Sequence, residues 1–112
     1  MPAPILKHFR VGISTAATWT NIMGPVAANR CLVVSKLTVT STNSAGTFSI
    51  AVTTTAPPTA PPFGDYLVLN WPANIGESYT ETGLVIPAGE YLVVSSSVTG
   101  LAISAFCQEV DN

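Results

Sequence analysis

The sequence predicts an all-β protein, an antiparallel two-sheet β-sandwich (jelly-roll or immunoglobulin-like) of about seven or eight short strands. Three observations predict it. Apolar and polar residues alternate through most of the chain, which is the period of a half-buried strand. Turn residues such as Asn43-Ser44-Ala45-Gly46 and Thr99-Gly100 separate the alternating runs. No stretch has a sustained helical period.

Six alternating runs predict strands with one face on a core. They cover residues 8–14, 31–39, 47–53, 66–71, 91–98 and 101–107. The side chains predicted to face inward are Phe9, Val11, Ile13, Cys31, Val33, Leu37, Val39, Phe48, Ile50, Val52, Leu67, Leu69, Trp71, Leu92, Val94, Val98, Leu101, Ile103, Ala105 and Cys107. A polar run, 77–82, follows a turn at 74–76 and predicts an exposed or edge strand.

The stretch GLVIPAGEYLVV, 83–94, predicts a corner between two strands. Leu84 and Ile86 end the first strand, facing inward. Pro87 cannot donate to a sheet, and Gly89 can adopt a positive φ, so the chain can turn within three residues.

The length of 112 residues suits one domain. We expect an extended N-terminal arm over residues 1–7 and a single sandwich domain over 8–112. A proline-rich loop, 53–63, interrupts the domain with two Pro-Pro pairs. It is either a stiff surface loop or a contact arm that lies on a neighbouring subunit, because a rigid loop loses little entropy on docking.

Only 9% of the residues are charged, while Ser and Thr are abundant. A surface solvated by hydroxyl groups repels its neighbours weakly, which favours a subunit of an assembly. The net charge is −2 with four Lys plus Arg, so no nucleic-acid footprint is predicted. No apolar run reaches the roughly 20 residues that span a bilayer. The N-terminal residues do not match a signal peptide, so we expect synthesis in a cytoplasm and no membrane partner.

No catalytic, cofactor-binding or metal-binding residue is predicted, and the protein is not expected to be an enzyme. His8 is the single histidine and has no carboxylate nearby in the sequence. Glu77 and Glu81 share a strand face, where they are expected to keep an edge soluble. Cys31 and Cys107 are both predicted to face inward and could be neighbours; whether they pair is left open.

The aromatic residues give the chain two possible uses. Trp71 shares the parity of Leu67 and Leu69 and is therefore predicted to be in the core. Tyr66, Tyr79 and Tyr91 have the opposite parity and could line an outer surface, where amphipathic aromatics serve protein interfaces. An exposed row of such residues could also bind sugar, as in a carbohydrate- or receptor-binding module on a fibre.

The order of motifs resembles a group of small virion structural proteins of tailed bacteriophages. It runs from RCLVVSKLTVTSTN and GTFSIAV, through a proline-rich loop, to GDYLVLNW, a polar run starting GES, and GLVIPAGE. The resemblance covers residues 30–110. It implies a compact β-sandwich that carries no catalytic residues and binds other virion proteins.

The resemblance implies a function in the virion, as a capsid decoration (cement) subunit or a small neck or tail component. The partners would be the major capsid protein or a neck or tail protein, and the chain would form a symmetric homo-oligomer, with a trimer favoured. The N-terminal segment would then be an arm reaching the shell. The predicted partner contacts are Pro2, Pro4, Ile5, Lys7, Arg10, Pro57, Pro58, Pro61, Pro62, Tyr66, Tyr79 and Tyr91.

Overall fold

The computed structural model describes residues 5–13, 16–42, 45–57 and 59–111. Within them the chain forms nine β-strands and one short 3-10 helix, Phe63–Asp65. The strands are β1 (Ile5–Ile13), β2 (Thr20–Met23), β3 (Arg30–Ser41), β4 (Gly46–Thr53), β5 (Tyr66–Ala73), β6 (Ser78–Glu81), β7 (Leu84–Ile86), β8 (Tyr91–Ser96) and β9 (Leu101–Asp111). This part of the chain holds no helix with the length and apolar character needed to cross a bilayer.

The strands form two antiparallel sheets packed face to face, which confirms the predicted β-sandwich. In the first sheet the order is β1-β9-β3, with β6 and β7 both paired to the far edge of β3. In the second sheet the order is β2-β8-β4-β5. Among the described strands five pairs are therefore nested: β1 with β9, β2 with β8, β3 with β7, β3 with β6, and β4 with β5. A long hairpin rolled up on itself has this connectivity, so the sandwich is a jelly roll.

The core lies between the two sheets and is built by the alternation seen in the sequence. In β4, for example, Phe48 and Ile50 point inward and are almost completely buried. Burial of this kind removes apolar surface from water and is the main source of folding free energy. The largest fully buried apolar side chains are Phe48, Leu37, Ile50, Ile86, Leu92, Leu101, Val34, Val39, Val93 and Val94.

In β3 the inward-facing residues have even numbers in the first half of the strand and odd numbers in the second half. The register against β9 shifts between Val34 and Lys36, so Ser35 is an extra, bulged residue. Leu32 and Val34 are buried before the bulge, and Leu37 is buried after it. The prediction that Cys31 and Val33 face inward with Leu37 was wrong, because strict alternation does not hold across a bulge.

The first strand begins earlier than predicted. Residues 5–7 were assigned to an extended arm, but Ile5 is paired with Glu109 and Lys7 with Cys107 in the first sheet. The sandwich therefore includes them. The rest of the predicted arm, with Pro2 and Pro4, lies outside the described residues.

The proline-rich loop is tied to the second sheet at both of its ends. Thr53 is the last residue of β4, and its hydroxyl donates a hydrogen bond to Asp65 Oδ2 at 2.7 Å. The same hydroxyl accepts a hydrogen bond from the Thr55 amide. Pro61 is buried and Pro62 is exposed. The loop thus has an anchored base beside the outer face of the second sheet.

The corner predicted at Pro87-Ala88-Gly89 connects β7 to β8. Gly89 has a φ of 79°, and the Glu90 amide donates a hydrogen bond to the Pro87 carbonyl. Ile86 and Leu92 are fully buried on either side of the turn. The proline therefore stands at the crossing from the first sheet to the second.

Candidate interaction surfaces

An exposed apolar surface follows the free edge of the second sheet. We call it the β5 edge patch and define it by Phe63, Leu67, Leu69 and Trp71. Their side chains are 81%, 49%, 58% and 49% exposed, respectively. Leu67, Leu69 and Trp71 lie along β5, and Phe63 lies in the 3-10 helix just before it. Several large exposed apolar side chains along one segment mark a surface that is covered by a partner or is prone to association.

Two irregularities in β5 explain why Leu67 and Leu69 are exposed, whereas Phe63 precedes β5 in the 3-10 helix. The register of β5 against β4 shifts between Phe48 and Ile50 and again between Ile50 and Ala51. At the first shift Asn70 has a φ of 50°, and its amide donates a hydrogen bond to Ser49 Oγ. These bulges break the alternation, and among the described strands β5 is paired on one side only, with β4.

Trp71, Leu67 and Leu69 were predicted to be core residues, and this prediction was wrong. Trp71 is paired with Phe48, but at the rim of the sandwich, where its indole ring packs edge-to-face against Tyr79 at 5.2 Å. Tyr79 in turn contacts Phe48 at 5.4 Å. One face of the Trp71 side chain therefore packs against the end of the core, and about half of its surface remains exposed.

The three tyrosines do not form one row. Tyr66 and Tyr91 lie opposite Ala51 and Thr53 on the outer face of the second sheet, and both are half-buried. Tyr66 packs against Trp19, with ring centroids 5.3 Å apart. Tyr79 instead faces inward from β6, beside Val39, so its prediction as an outer-surface residue was wrong.

The environment of Tyr79 changes its acidity. Burial raises the pKa of Tyr79 to about 12, and Glu81 adds to the shift through a hydrogen bond from the phenol and through its negative charge. Each effect favours the protonated phenol. The Tyr79 hydroxyl is therefore a hydrogen-bond donor to Glu81 at neutral pH and belongs to the rim of the core.

A second surface covers the outer face of the first sheet. We call it the basic face and define it by His8, Arg10 and Lys36, which are all exposed. The imidazole of His8 stacks on Phe106, with ring centroids 3.9 Å apart and an interplanar angle of 12°. His8 Nε2 lies 2.7 Å from Ser104 Oγ and 3.5 Å from Arg10 Nε, which donates to it.

The basic face contains a shallow concavity beside Arg10. Its volume is about 350 Å³. Gly12, Ala102 and Thr40 lie side by side on β1, β9 and β3. The surface is concave there because these three neighbours have small side chains. The lining residues are Arg10, Val11, Gly12, Thr38, Thr40, Ala102, Ile103 and Ser104.

The charges of the first sheet are divided between its rim and its outer face. At the rim, Lys7 Nζ lies 3.5 Å from Glu109 Oε2, and Arg30 Nη1 donates a hydrogen bond to Asp111 at 2.7 Å. Arg30 Nε is buried without a hydrogen-bond partner, 3.6 Å from Glu109 Oε2. Within the described residues, no carboxylate forms an ion pair with Arg10 or Lys36. The positive charge of the basic face is therefore not neutralised there.

The two cysteines lie on different sides of the first sheet. Cys107 is buried in the core and Cys31 is half-buried on the outer side; both are free thiols. Val34, not Cys31, is the residue of β3 that pairs with Cys107. Burial raises the pKa of the Cys107 thiol, partly offset by Lys7. The two thiols therefore form no disulfide, and the raised pKa of Cys107 disfavours its thiolate.

The predicted partner contacts are spread over several surfaces. Arg10 is on the basic face, Lys7 is engaged at the rim, and Ile5 is half-exposed at the start of β1. Pro57, Pro61 and Pro62 follow β4, while Pro58 lies outside the described residues. Sequence reasoning missed the β5 edge patch and Lys36, because neither the bulges nor the pairing of β3 with β9 can be read from alternation. Among the described residues, no three His, Cys, Asp or Glu side chains converge as metal ligands.

Comparison with protein-family models, with curated proteins and with solved structures finds no match for this chain.

Proposed function

We propose that the chain is a structural protein of a tailed-bacteriophage virion, which binds other virion proteins as a symmetric oligomer. Its place would be that of a capsid decoration subunit or a small neck or tail component. The β5 edge patch is the observation that carries the proposal. Four large apolar side chains, 49–81% exposed on a chain of 11.6 kDa, are a surface that association would remove from water.

The chemistry of the rest of the surface supports the same proposal. The composition is poor in charge and rich in Ser and Thr, so two copies or two different subunits repel each other weakly. The edge itself limits how a partner can bind. Pro72 has no amide hydrogen, and the bulges of β5 interrupt its hydrogen-bonding edge, so side-chain packing is favoured over addition of a strand.

The fold and the motif order agree with this use. Jelly rolls occur in viral capsid proteins as well as in lectins and cupins, so the fold alone does not decide the function. The Pro-Ala-Gly-Glu segment of the resemblance is the corner between β7 and β8, an architectural feature. A trimer would use the β5 edge patch in a heterologous contact, in which it meets a different surface of the next copy.

The proposal is tested on tailed phage particles purified from the source culture. We expect mass spectrometry of gradient-purified particles to detect the chain in many copies per particle. A tagged variant with Leu67→Ser and Leu69→Ser, supplied during infection, is expected to be incorporated much less than the unchanged chain. Val85→Ser is the matched control, because Val85 is also half-exposed but lies on the first sheet.

Two results would contradict the proposal. One is the absence of the chain from purified particles. The other is equal incorporation of the β5 double variant and of Val85→Ser, which would show that the patch contacts no virion protein.

A further inference from the structure

We propose that the concavity of the basic face binds an acidic saccharide, a sugar that carries a carboxylate. Arg10 would contact the carboxylate, and the hydroxyl groups of Thr38, Thr40 and Ser104 would face the hydroxyl groups of the sugar. The inference goes beyond the structural function proposed above and does not depend on it, because this site and the β5 edge patch are on different sheets.

The charge of the site favours an anion. His8 and Arg10 on β1 and Lys36 on β3 project from the same face, on either side of β9, and no carboxylate within the described residues pairs with Arg10 or Lys36. The chain as a whole carries a net charge of −2, so this local excess of positive charge runs against the overall balance. Charge complementarity therefore selects a negative ligand for this face.

The position of Arg10 suits a carboxylate. Its Nε donates to His8 Nε2, which leaves both terminal nitrogens of the guanidinium available. A guanidinium presents parallel N–H groups that match the two oxygens of a carboxylate. His8 is itself held by Ser104 and by stacking on Phe106, so the arginine is oriented from one side.

The floor of the concavity suits a polyhydroxylated ligand of small size. A volume of about 350 Å³ lies at the lower end of the range of small-molecule sites. Three hydroxyl groups line it. The Thr40 hydroxyl lies 2.8 Å from Ser78 Oγ and the Ser104 hydroxyl lies 2.7 Å from His8 Nε2, so each of these two uses one hydrogen-bonding position within the protein and keeps others for a ligand. Gly12 and Ala102 lie between these hydroxyl groups and form a flat apolar surface against which the carbon atoms of a sugar ring can pack. An extended acidic peptide would also be attracted by the positive charge, but it would neither fill the concavity nor pair with its hydroxyl groups.

The test is a titration of the full chain, labelled with nitrogen-15, by nuclear magnetic resonance. Glucuronic acid is the probe; glucose is the matched neutral sugar, and acetate and hexaglutamate are the matched anions. We expect glucuronic acid to shift the amides of Arg10, Thr38, Thr40 and Ser104 in a saturable way, at least tenfold more tightly than glucose or acetate. The same titration of the Leu67→Ser, Leu69→Ser variant separates this result from the outcome of the proposed function.

Three variants test the roles of the residues. Arg10→Gln is expected to weaken glucuronic acid binding about tenfold, the loss of one charge-assisted contact. Thr38→Val should weaken glucuronic acid but leave acetate unchanged. Gly12→Leu should abolish binding by filling the concavity, and it is expected to fold, because a Cβ at Gly12 meets no atom within 4 Å. Lys7→Gln is the control, since Lys7 is paired with Glu109 at the rim.

The outcomes that would overturn the proposal are distinct. Equal binding of acetate and glucuronic acid would show a simple anion site. Tighter binding of hexaglutamate than of glucuronic acid would show a surface for acidic proteins. No saturable shift with glucuronic acid, or unchanged binding in a folded Gly12→Leu variant, would exclude the site.

Discussion

At the scale of single residues, Tyr79 has the most strongly altered chemistry among the titratable groups that the structure describes. It is enclosed by Phe48 and Trp71 and donates its hydroxyl hydrogen to Glu81. Burial, followed by the hydrogen bond and the charge of Glu81, raises its pKa from 10.0 to about 12. The phenol is thus part of the packing at the open end of the core.

We predict that Glu81→Gln lowers the pKa of Tyr79 part of the way back toward 10.0, because the charge is removed while the burial remains. Titration of ring-labelled tyrosine by nuclear magnetic resonance measures the pKa of Tyr79 directly.

The raised pKa of Tyr79 also predicts a pH dependence of stability. An unfolded tyrosine releases its proton at lower pH than the folded one, so the free energy of unfolding should fall between pH 10 and about 12. Tyr79→Phe should lack this part of the pH dependence, and a Tyr79 that titrates near 10 in the folded wild type would contradict the prediction.

The residues that sequence analysis placed well are those in unbroken strands. In β1 and β9 the alternation of Val11, Ile13, Leu101 and Ile103 matches their inward positions, because the two strands pair in register for nine residues. Leu67 and Leu69 were misplaced because two bulges interrupt β5, whereas Trp71 lies opposite buried Phe48 but at the rim of the sandwich. A bulge is decided by backbone contacts such as that of Asn70 with Ser49, which no single-strand pattern contains.

At the scale of elements, the loop after β2 is held against the start of β8. The Val26 amide donates to the Glu90 carbonyl, and the Gly89 amide donates to the Val26 carbonyl. Gly24 lies within this contact with a φ of 115°, and a Cβ there would come within 2.6 Å of the Glu90 oxygen and 2.9 Å of the Tyr91 Cα. Only glycine fits at this junction of the two sheets.

Gly24→Ala is therefore predicted to lower the free energy of unfolding by about 1–3 kcal/mol, through overpacking against backbone atoms that cannot move aside. Gly64→Ala is the matched control. A Cβ at Gly64 meets no atom within 4 Å, and its effect should stay within about 0.5 kcal/mol. Urea denaturation followed by circular dichroism measures both. Equal stability of the two variants would show that the loop does not pack on β8 as described.

Some of the connections between strands could be predicted from the sequence and others could not. The turn at Pro87-Ala88-Gly89 and the edge position of the polar run around Tyr79 were predicted, because proline, glycine and charge have strong local preferences. The choice between a jelly roll and an immunoglobulin-like sandwich was not. It depends on which strands pair across long separations, such as Arg30 with Asp111, and these pairings leave no local pattern.

At the scale of the whole molecule, the two sheets present different chemistry to their surroundings. The outer face of the first sheet carries the positive charges of Arg10 and Lys36, which form no ion pair with any described carboxylate, and the free edge of the second sheet carries the apolar β5 edge patch. A monomer would leave both surfaces in water. An assembly through β5 would bury the apolar surface and leave the basic face available, so one chain could be a structural subunit and also carry a ligand site.

Assembly through the β5 edge patch can be tested by the mass of the purified chain in solution, measured by light scattering during size-exclusion chromatography over a range of concentrations. We predict that the wild type forms an oligomer of a whole-number multiple of 11.6 kDa, with three copies favoured. The Leu67→Ser, Leu69→Ser variant is expected to remain folded and to have a mass of 11.6 kDa, while Val85→Ser behaves as the wild type. A wild-type mass of 11.6 kDa at every concentration, or an oligomer that survives the double substitution, would contradict assembly through the β5 edge patch.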